Sequence, residues 1–346
     1  MSIYVIDPLA DDRWNGLVER HPLSSAFHQR TWLNALARTY GYRPCVLTST
    51  PEGRPLADGI VFCRISSWIT GTRLVSLPFS DHCEPLLSEP GNLVGFSKWL
   101  RSECDEKRWK YIELRPLFET QNAEGDLCES ASYCFHELDI RPSLQSLFEG
   151  LHKNCVQRSI RRAERECLSY EVGHSQTIAD EFYQLLLITR RRHKLLPQPR
   201  AWFQNLIECM GNRVQIRVAR KNGTAVAAIL TLRHASSVVY KYGCSNDQFH
   251  NLGAMPFLFW RLVEESKAAG VVKIDLGRSD AENRGLIAFK DRLGGKKKRL
   301  TYYRYPKTKH REASVNWHSG GLGKLFSVLP DIVSSTAGRI VYRHVG

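Results

Sequence analysis

The sequence predicts an α/β (α+β) protein made of two similar domains in tandem, each a mixed, twisted sheet flanked by helices. Three observations predict it. From Val239 to Gly294 the residues read strand, loop, helix, strand, loop and charged helix in close succession. Similar patterns recur in the first half of the chain, with a repeat unit far too long for a solenoid, so a duplicated domain is the natural reading. A length of 346 residues lets each copy bury its own core.

The elements follow in order. Pro44 to Ile65 reads strand, turn at Glu52-Gly53, strand; Val214 to Arg233 reads strand, turn at Asn222-Gly223, strand. An aromatic helix precedes each, with Trp32 and Phe203 in similar places. The run from Gly59 to Phe79 is interrupted by Arg64, Gly71 and Arg73 and reads as strands rather than a membrane span. Lys110-Tyr111-Ile112-Glu113-Leu114-Arg115 follows a charged helix, as Lys273-Ile274-Asp275-Leu276-Gly277-Arg278 does later. Val238 to Tyr242 is β-branched and aromatic, as a strand should be, and a turn-rich loop from Ser245 to Ala254 follows. From Met255 to Ala269, Phe257, Leu258, Trp260, Leu262 and Val263 cover most of a helix surface, and Gly270 stops it. A short buried strand, Val271 to Leu276, then places Asp275 and the run Gly277-Arg278-Ser279-Asp280 at its end, where α/β architectures put ligand chemistry. The expected divisions are 1–142, 143–306 opened by a basic helix, and a tail over 307–346.

A formal net charge of +14 points to an anionic partner. Three clusters carry the excess. On a predicted helix from Leu144 to Glu166, Arg158, Arg161, Arg162 and Arg165 share a face, either to grip phosphates or as a solvated face partly neutralised by Glu164 and Glu166. Arg190-Arg191-Arg192-His193-Lys194 ends another helix, where cations are favoured in any case, and Lys296-Lys297-Lys298-Arg299 leads into the strand Leu300 to Tyr305. Trp202, Phe203, Tyr302 and Tyr303 offer stacking surfaces, but no helix-turn-helix, zinc-finger or RNA-recognition signature is present, so sequence-specific DNA binding is not expected.

Ten scattered cysteines without a Cys-x-x-Cys pair fit buried thiols in a reducing compartment. Met1 to Pro8 lacks a basic region followed by an apolar stretch, so export is not expected and the location is cytoplasmic. His28, His82, His136 and His193 show no metal-ligand spacing, and no metal is expected. The tail alternates Leu322, Leu325, Phe326, Val328, Leu329, Ile340 and Val341 with Lys324, Arg339 and Arg343, a pattern that docks on the protein's own core or on the inner face of an anionic membrane.

Asn251-Leu252-Gly253-Ala254 precedes a helix, where glycine admits close approach and free amides attract an anion. Plain turn chemistry is the alternative. Tyr242-Gly243-Cys244-Ser245, a long helix, Ile274-Asp275-Leu276-Gly277 and the closing Gly285, Phe289-Lys290 and Gly294 together resemble the FemAB (Fem-type) aminoacyltransferases and related GNAT acyltransferases. Leu293 stands where an aromatic is more usual. Lys153 to Ala163 is similar to the basic segment that opens the family's second domain, and Fem-type proteins likewise carry two GNAT-like domains.

The resemblance implies transfer of an acyl or aminoacyl group from acyl-CoA or aminoacyl-tRNA to an amine of a cell-envelope precursor, exopolysaccharide or peptidoglycan. No covalent enzyme intermediate is needed. It implies that Lys290 stabilises the developing oxyanion, the alternative being a surface lysine paired with Asp291; Asp275 orients or deprotonates the amine, or caps a turn. Leu252, Gly253, Ala254 and Phe289 fall on the donor side, and Tyr242, Arg190 and Arg278 are candidates for acceptor or phosphate contact. A different class remains open: a non-catalytic module of the same fold that holds tRNA or an anionic glycan.

Overall fold

Short β-branched and aromatic runs separated by turn residues become strands throughout, in a computed structural model that describes residues 2–117, 127–306 and 341–344. The earlier elements are β1 (Tyr4–Ile6), α1 (Arg13–Arg20), α2 (Arg30–Tyr40), β2 (Arg43–Thr48), β3 (Ile60–Ser67), β4 (Gly71–Val75), α3 (Leu93–Glu106) and β5 (Ile112–Leu114). Then follow β6 (Cys128–Asp139), α4 (Leu144–Gly150), α5 (Arg158–Arg165), β7 (Ser169–Gly173), α6 (Gln176–Arg192), α7 (Arg200–Met210), β8 (Val214–Lys221), β9 (Thr224–His234) and β10 (Ser237–Ser245). The last are α8 (Ala254–Ala268), β11 (Lys273–Asp280), α9 (Arg284–Arg292) and β12 (Lys296–Tyr305).

The chain forms two compact units. Among the described residues, one holds 2–117, 127–133, 299–306 and 341–344, and the other holds Cys134–Lys298. The passage between them occurs within β6 and again within β12.

In the first unit the strands lie in the order β1-β2-β3-β4-β5-β12, antiparallel except for β4 and β5, which run parallel with Leu74 against Ile112 and Val75 against Glu113. In the second the order is β7-β8-β9-β10-β11-β6; β7 to β10 are antiparallel, and β10 runs parallel with β11, Val238 against Ile274 and Val239 against Asp275. The duplication read from the sequence is thus a duplication of strand order and direction. The second hairpin turns where expected, at Asn222 and Gly223, with φ of 51° and 79°. The first is looser, because residues 49–59 separate its strands.

Helix α8 is apolar nearly all round because it is buried on most sides: Phe257, Leu258, Phe259, Trp260, Leu262 and Val263 pack with Ile160 and Ala163 of α5 and with Ala227, Ile229, Ile274 and Leu276 of the sheet. Each such side chain contributes about 2 kcal/mol as an upper estimate. Phe182 of α6 and Trp202 and Phe203 of α7 supply a further aromatic cluster with Tyr242.

Two local expectations change. The helix predicted from Leu144 to Glu166 is three pieces: α4 ends at Gly150, Leu151 is extended, and a π-helical turn over Lys153–Gln157 feeds α5. His152 restarts the helix by accepting a hydrogen bond from the Cys155 amide through Nδ1 at 3.2 Å. Asp275 lies within β11 rather than at its end, because that strand continues to Asp280. The tail over 307–340 lies outside the described residues.

Candidate functional site

The site begins with two strands that part. β10 and β11 are in register over only three positions, Ser237–Val239 with Lys273–Asp275, whereas β10 stays paired with β9 as far as Ser245. Beyond Val239, β10 therefore has an edge not paired with β11. The register against β9 also slips between Tyr240 and Tyr242, a bulge that leaves Lys241 over.

The extra residue changes which way the side chains point. Tyr240 packs edge-to-face on Phe259 of α8, with ring centroids 4.7 Å apart, and Phe259 packs on Phe289 of α9 at 5.5 Å. Tyr242, two residues on, goes to the aromatic cluster of α7: its hydroxyl accepts from Trp202 Nε1 at 2.9 Å and its ring meets Phe203 at 5.2 Å. Sequence alternation would have put both tyrosines on one face. Gly243 is required beside them, since a Cβ there would lie 1.9 Å from the Tyr240 hydroxyl.

Opposite, β11 is kinked. Gly277 has φ of 72°, a left-handed conformation suited to glycine, and Asp275 Oδ1 accepts from the Gly277 amide at 2.7 Å. The kink presents two carbonyls to one ammonium: Lys290 Nζ donates to Gly277 O and to Arg278 O, both at 2.9 Å. Lys290 is 3% exposed, so the surface lysine paired with Asp291 is replaced by a buried lysine on the backbone of β11. Asp291 instead meets His136 Nε2 at 3.0 Å. Burial pushes the imidazole of His136 down, against the pull of Asp291.

Ser279, two residues after the kink, is 2% exposed, and its hydroxyl has no hydrogen-bond partner among the described residues. Arg278 is half-buried beside it. Lys290, Asp275, Phe289 and Arg278 are thus brought together around one kink, with Tyr240 added.

The end of β10 is a separate polar knot. Ser245 donates its amide to Thr189 Oγ1 at 2.9 Å, and its hydroxyl lies 2.9 Å from His250 Nε2, which also meets Arg192 Nη1 at 3.1 Å. A guanidinium only donates, so that ring nitrogen accepts. Burial and then Arg192 push His250 below its ordinary value. Arg190 is half-buried in the last turn of α6, close enough to act electrostatically on Cys244.

Leu252 and Ala254 are buried, and Gly253, with φ of 76°, receives α5 directly: a Cβ would lie 2.3 Å from the Ser159 carbonyl oxygen. The glycine lets a helix approach. Pro256 has no amide to offer in the first turn of α8. The charge available nearby is instead on α5, where Arg158, Arg161, Arg162 and Arg165 are exposed and form no ion pair among the described residues. Glu166, expected to neutralise them, pairs with Lys221 at 3.1 Å.

One apparent nucleophile is not one. Cys134 Sγ lies 3.8 and 4.0 Å from the two ring nitrogens of His136, nearly equidistant, hence off the line of either lone pair. Burial also pushes the thiol up.

Residues 152–290 match the family model described as an acetyltransferase (GNAT) domain. No curated protein matches the sequence. Among solved structures the chain is similar to FemX, with a TM-score of 0.68 at 13% identity over 88% of this chain and 97% of that one. A structure titled a tandem GNAT protein from the clavulanic acid biosynthesis pathway superposes with a TM-score of 0.52 at 12% identity, over 88% and 98% of the two chains. The chain has a tandem GNAT-like fold.

A third similar structure is the carboxyl-terminal domain of a putative lysylphosphatidylglycerol synthetase from Agrobacterium fabrum, TM-score 0.56, 17% identity, covering 85% of this chain and 90% of that one. The parallel pair β10 and β11 separates beyond Val239 and opens a wedge in the sheet of the second unit, and the matched residues 152–290 contain both of its walls. Among the described residues there is no helix long and apolar enough to cross a membrane and no cluster of metal-ligating side chains.

Proposed function

We propose that the second unit catalyses N-acyl transfer, in which an amine of an exopolysaccharide or peptidoglycan precursor attacks the carbonyl of an acyl-CoA or aminoacyl-tRNA. The observation that carries this reading is the wedge between β10 and β11, with Lys290 anchored at its kinked wall. A C–N bond forms and the donor's C–S or C–O bond breaks. The amine loses a proton and the leaving group takes one up.

In this reading the ammonium of Lys290 supplies positive charge where the carbonyl oxygen becomes negative. Asp275 works through the backbone, holding the turn that fixes the ammonium. Tyr240, Phe259 and Phe289 exclude water from one side of the wedge. The unpaired arginines of α5 fit the phosphates that both donors carry.

The test is transfer by wild type, Lys290→Ala and Lys290→Arg, with donor binding followed by thermal shift. A donor at about 100 times its Kd adds roughly 2.7 kcal/mol to stability. Loss of one preorganised donor should lower kcat about 100- to 1,000-fold while the shift persists. A Lys290→Ala enzyme with unchanged kcat removes the lysine from the chemistry. Two carbonyl partners would also suit a lysine with a purely structural role, so a non-catalytic binding module is the competing reading. Saturable tRNA or glycan binding with no turnover of any donor would establish it.

A further inference from the structure

The loop joining β3 to β4 presents Trp68, 88% exposed, and Ile69, 58% exposed, at the tip of a hairpin in the first unit. Their exposure is built in. Ser67 pairs with Gly71, whose φ of 81° closes a three-residue connection. Ser67 Oγ accepts from the Ile69 and Thr70 amides at 3.1 and 2.9 Å. Arg73, only 2% exposed, donates to Thr70 Oγ1 and to His344 O, each at 2.7 Å, and the indole of Trp68 stands edge-on to the His344 ring at 6.2 Å. A buried guanidinium thus secures a loop whose two large apolar side chains face solvent.

Cations surround that tip. Arg64 and Ser66 are exposed positions of β3, Trp68 continues their alternation into the turn, and Arg43 of β2 lies directly opposite Arg64 in register. Both arginines are exposed, and neither has an ion pair among the described residues. Like charges opposite one another cost stability, so the unit's own fold gives no reason for the pairing. Lys110, exposed, packs its stem 3.6 Å from the Cβ position of Gly71. From Arg64 to Trp68 is about 13 Å along the strand, more than the roughly 5–8 Å depth of one headgroup layer, so with the indole at headgroup level the arginine stands just outside that layer, within about a Debye length of its charge.

We propose that this hairpin docks on an anionic lipid bilayer, with Trp68 and Ile69 entering the interface and Arg43, Arg64 and Lys110 attracted to its negative surface. The tip offers two large exposed apolar side chains, far short of the roughly 800 Å² per partner of a stable protein interface. A soft interface suits it better: indole rings settle at the headgroup level, and each cation near an anionic surface adds attraction that salt screens.

The test is co-sedimentation of the full chain with vesicles of phosphatidylcholine, alone or mixed with phosphatidylglycerol. Wild type binds the anionic vesicles, less so as salt is raised. Trp68→Ala/Ile69→Ser lowers the partition coefficient at least about tenfold, from the apolar area lost. Arg43→Ser/Arg64→Ser weakens binding to anionic vesicles alone. Brominated lipid quenches wild-type tryptophan fluorescence, and the quenching disappears in Trp68→Phe. Wild-type binding by the Trp68→Ala/Ile69→Ser variant, equal binding to neutral vesicles, or quenching retained in Trp68→Phe overturns the proposal. So does failure of the wild type to bind either vesicle, which would leave an acidic protein surface as the occupant. None of these readouts depends on acyl transfer.

Discussion

A single hydroxyl decides what residue 243 can be. A methyl group there would stand 1.9 Å from Tyr240 Oη and 2.9 Å from Tyr240 Cζ, so Gly243→Ala must push the ring off Phe259. The expected cost is about 1–3 kcal/mol of stability. Tyr240→Phe in the same chain should recover part of it, because the closest clash is removed; thermal melts of both single variants and the double variant would show this as non-additivity. Strict additivity would mean that the ring and the glycine do not share that space. The sequence singles out Lys290 by its resemblance-derived position beside Phe289, and Asp275 by its place on a strand. Their partners are not legible in it, since the acceptors are backbone carbonyls of Gly277 and Arg278, aimed by a left-handed glycine that nothing in the local sequence orients. Tyr242, a candidate for acceptor contact, accepts at its hydroxyl from Trp202 Nε1, forty positions upstream, a partner that no local pattern reveals.

Among the elements, β10 and α5 do most to shape the site. Tyr240-Lys241-Tyr242 reads as regular alternation, and only pairing with β9 reveals the bulge that sends the tyrosines to different helices. Helix α5 was expected to continue from Leu144 without a break, its arginines either gripping phosphates or partly neutralised by Glu164 and Glu166. Instead a π-turn sets it against Gly253, and its four exposed arginines have no acidic partner among the described residues. If they face phosphates, replacing Arg158, Arg161, Arg162 and Arg165 by serine should flatten the slope of log Kd for aminoacyl-tRNA against log salt by about 3. Filter binding across a salt series measures it. An unchanged slope would take α5 out of the donor site. Removing the glycine should act differently: Gly253→Ala, with a Cβ 2.3 Å from Ser159 O and φ of 76°, should lower the melting temperature and expose α5 to protease at any salt.

At the scale of the whole molecule, the two units repeat one design and use it differently. Glu113 holds the register position in the first unit that Asp275 holds in the second, each opposite a valine of a parallel neighbour. Glu113 is 2% exposed and is gripped by Arg115 Nε at 2.7 Å and Arg304 Nε at 2.6 Å. Burial pushes its carboxyl up, but the two guanidiniums outweigh burial and hold it below its ordinary value. A carboxyl lowered on folding stabilises above the unfolded pKa of about 4.3 and loses that contribution as pH falls. Melting temperature should therefore drop more steeply below pH 5 in wild type than in Glu113→Gln, which should itself cost about 2 kcal/mol near neutrality by removing the carboxylate from between two half-buried guanidiniums. Equal slopes would show that the network carries no linkage. The sequence by itself determined the fold class, the duplication and the hairpin at Asn222-Gly223, because periodicity and turn chemistry are local properties of neighbouring residues. It also determined the charge. Only the tertiary structure decided where β10 leaves β11, which carbonyls hold Lys290 and which arginines remain unpaired, because strand partners and ion pairs are chosen between residues far apart in the chain.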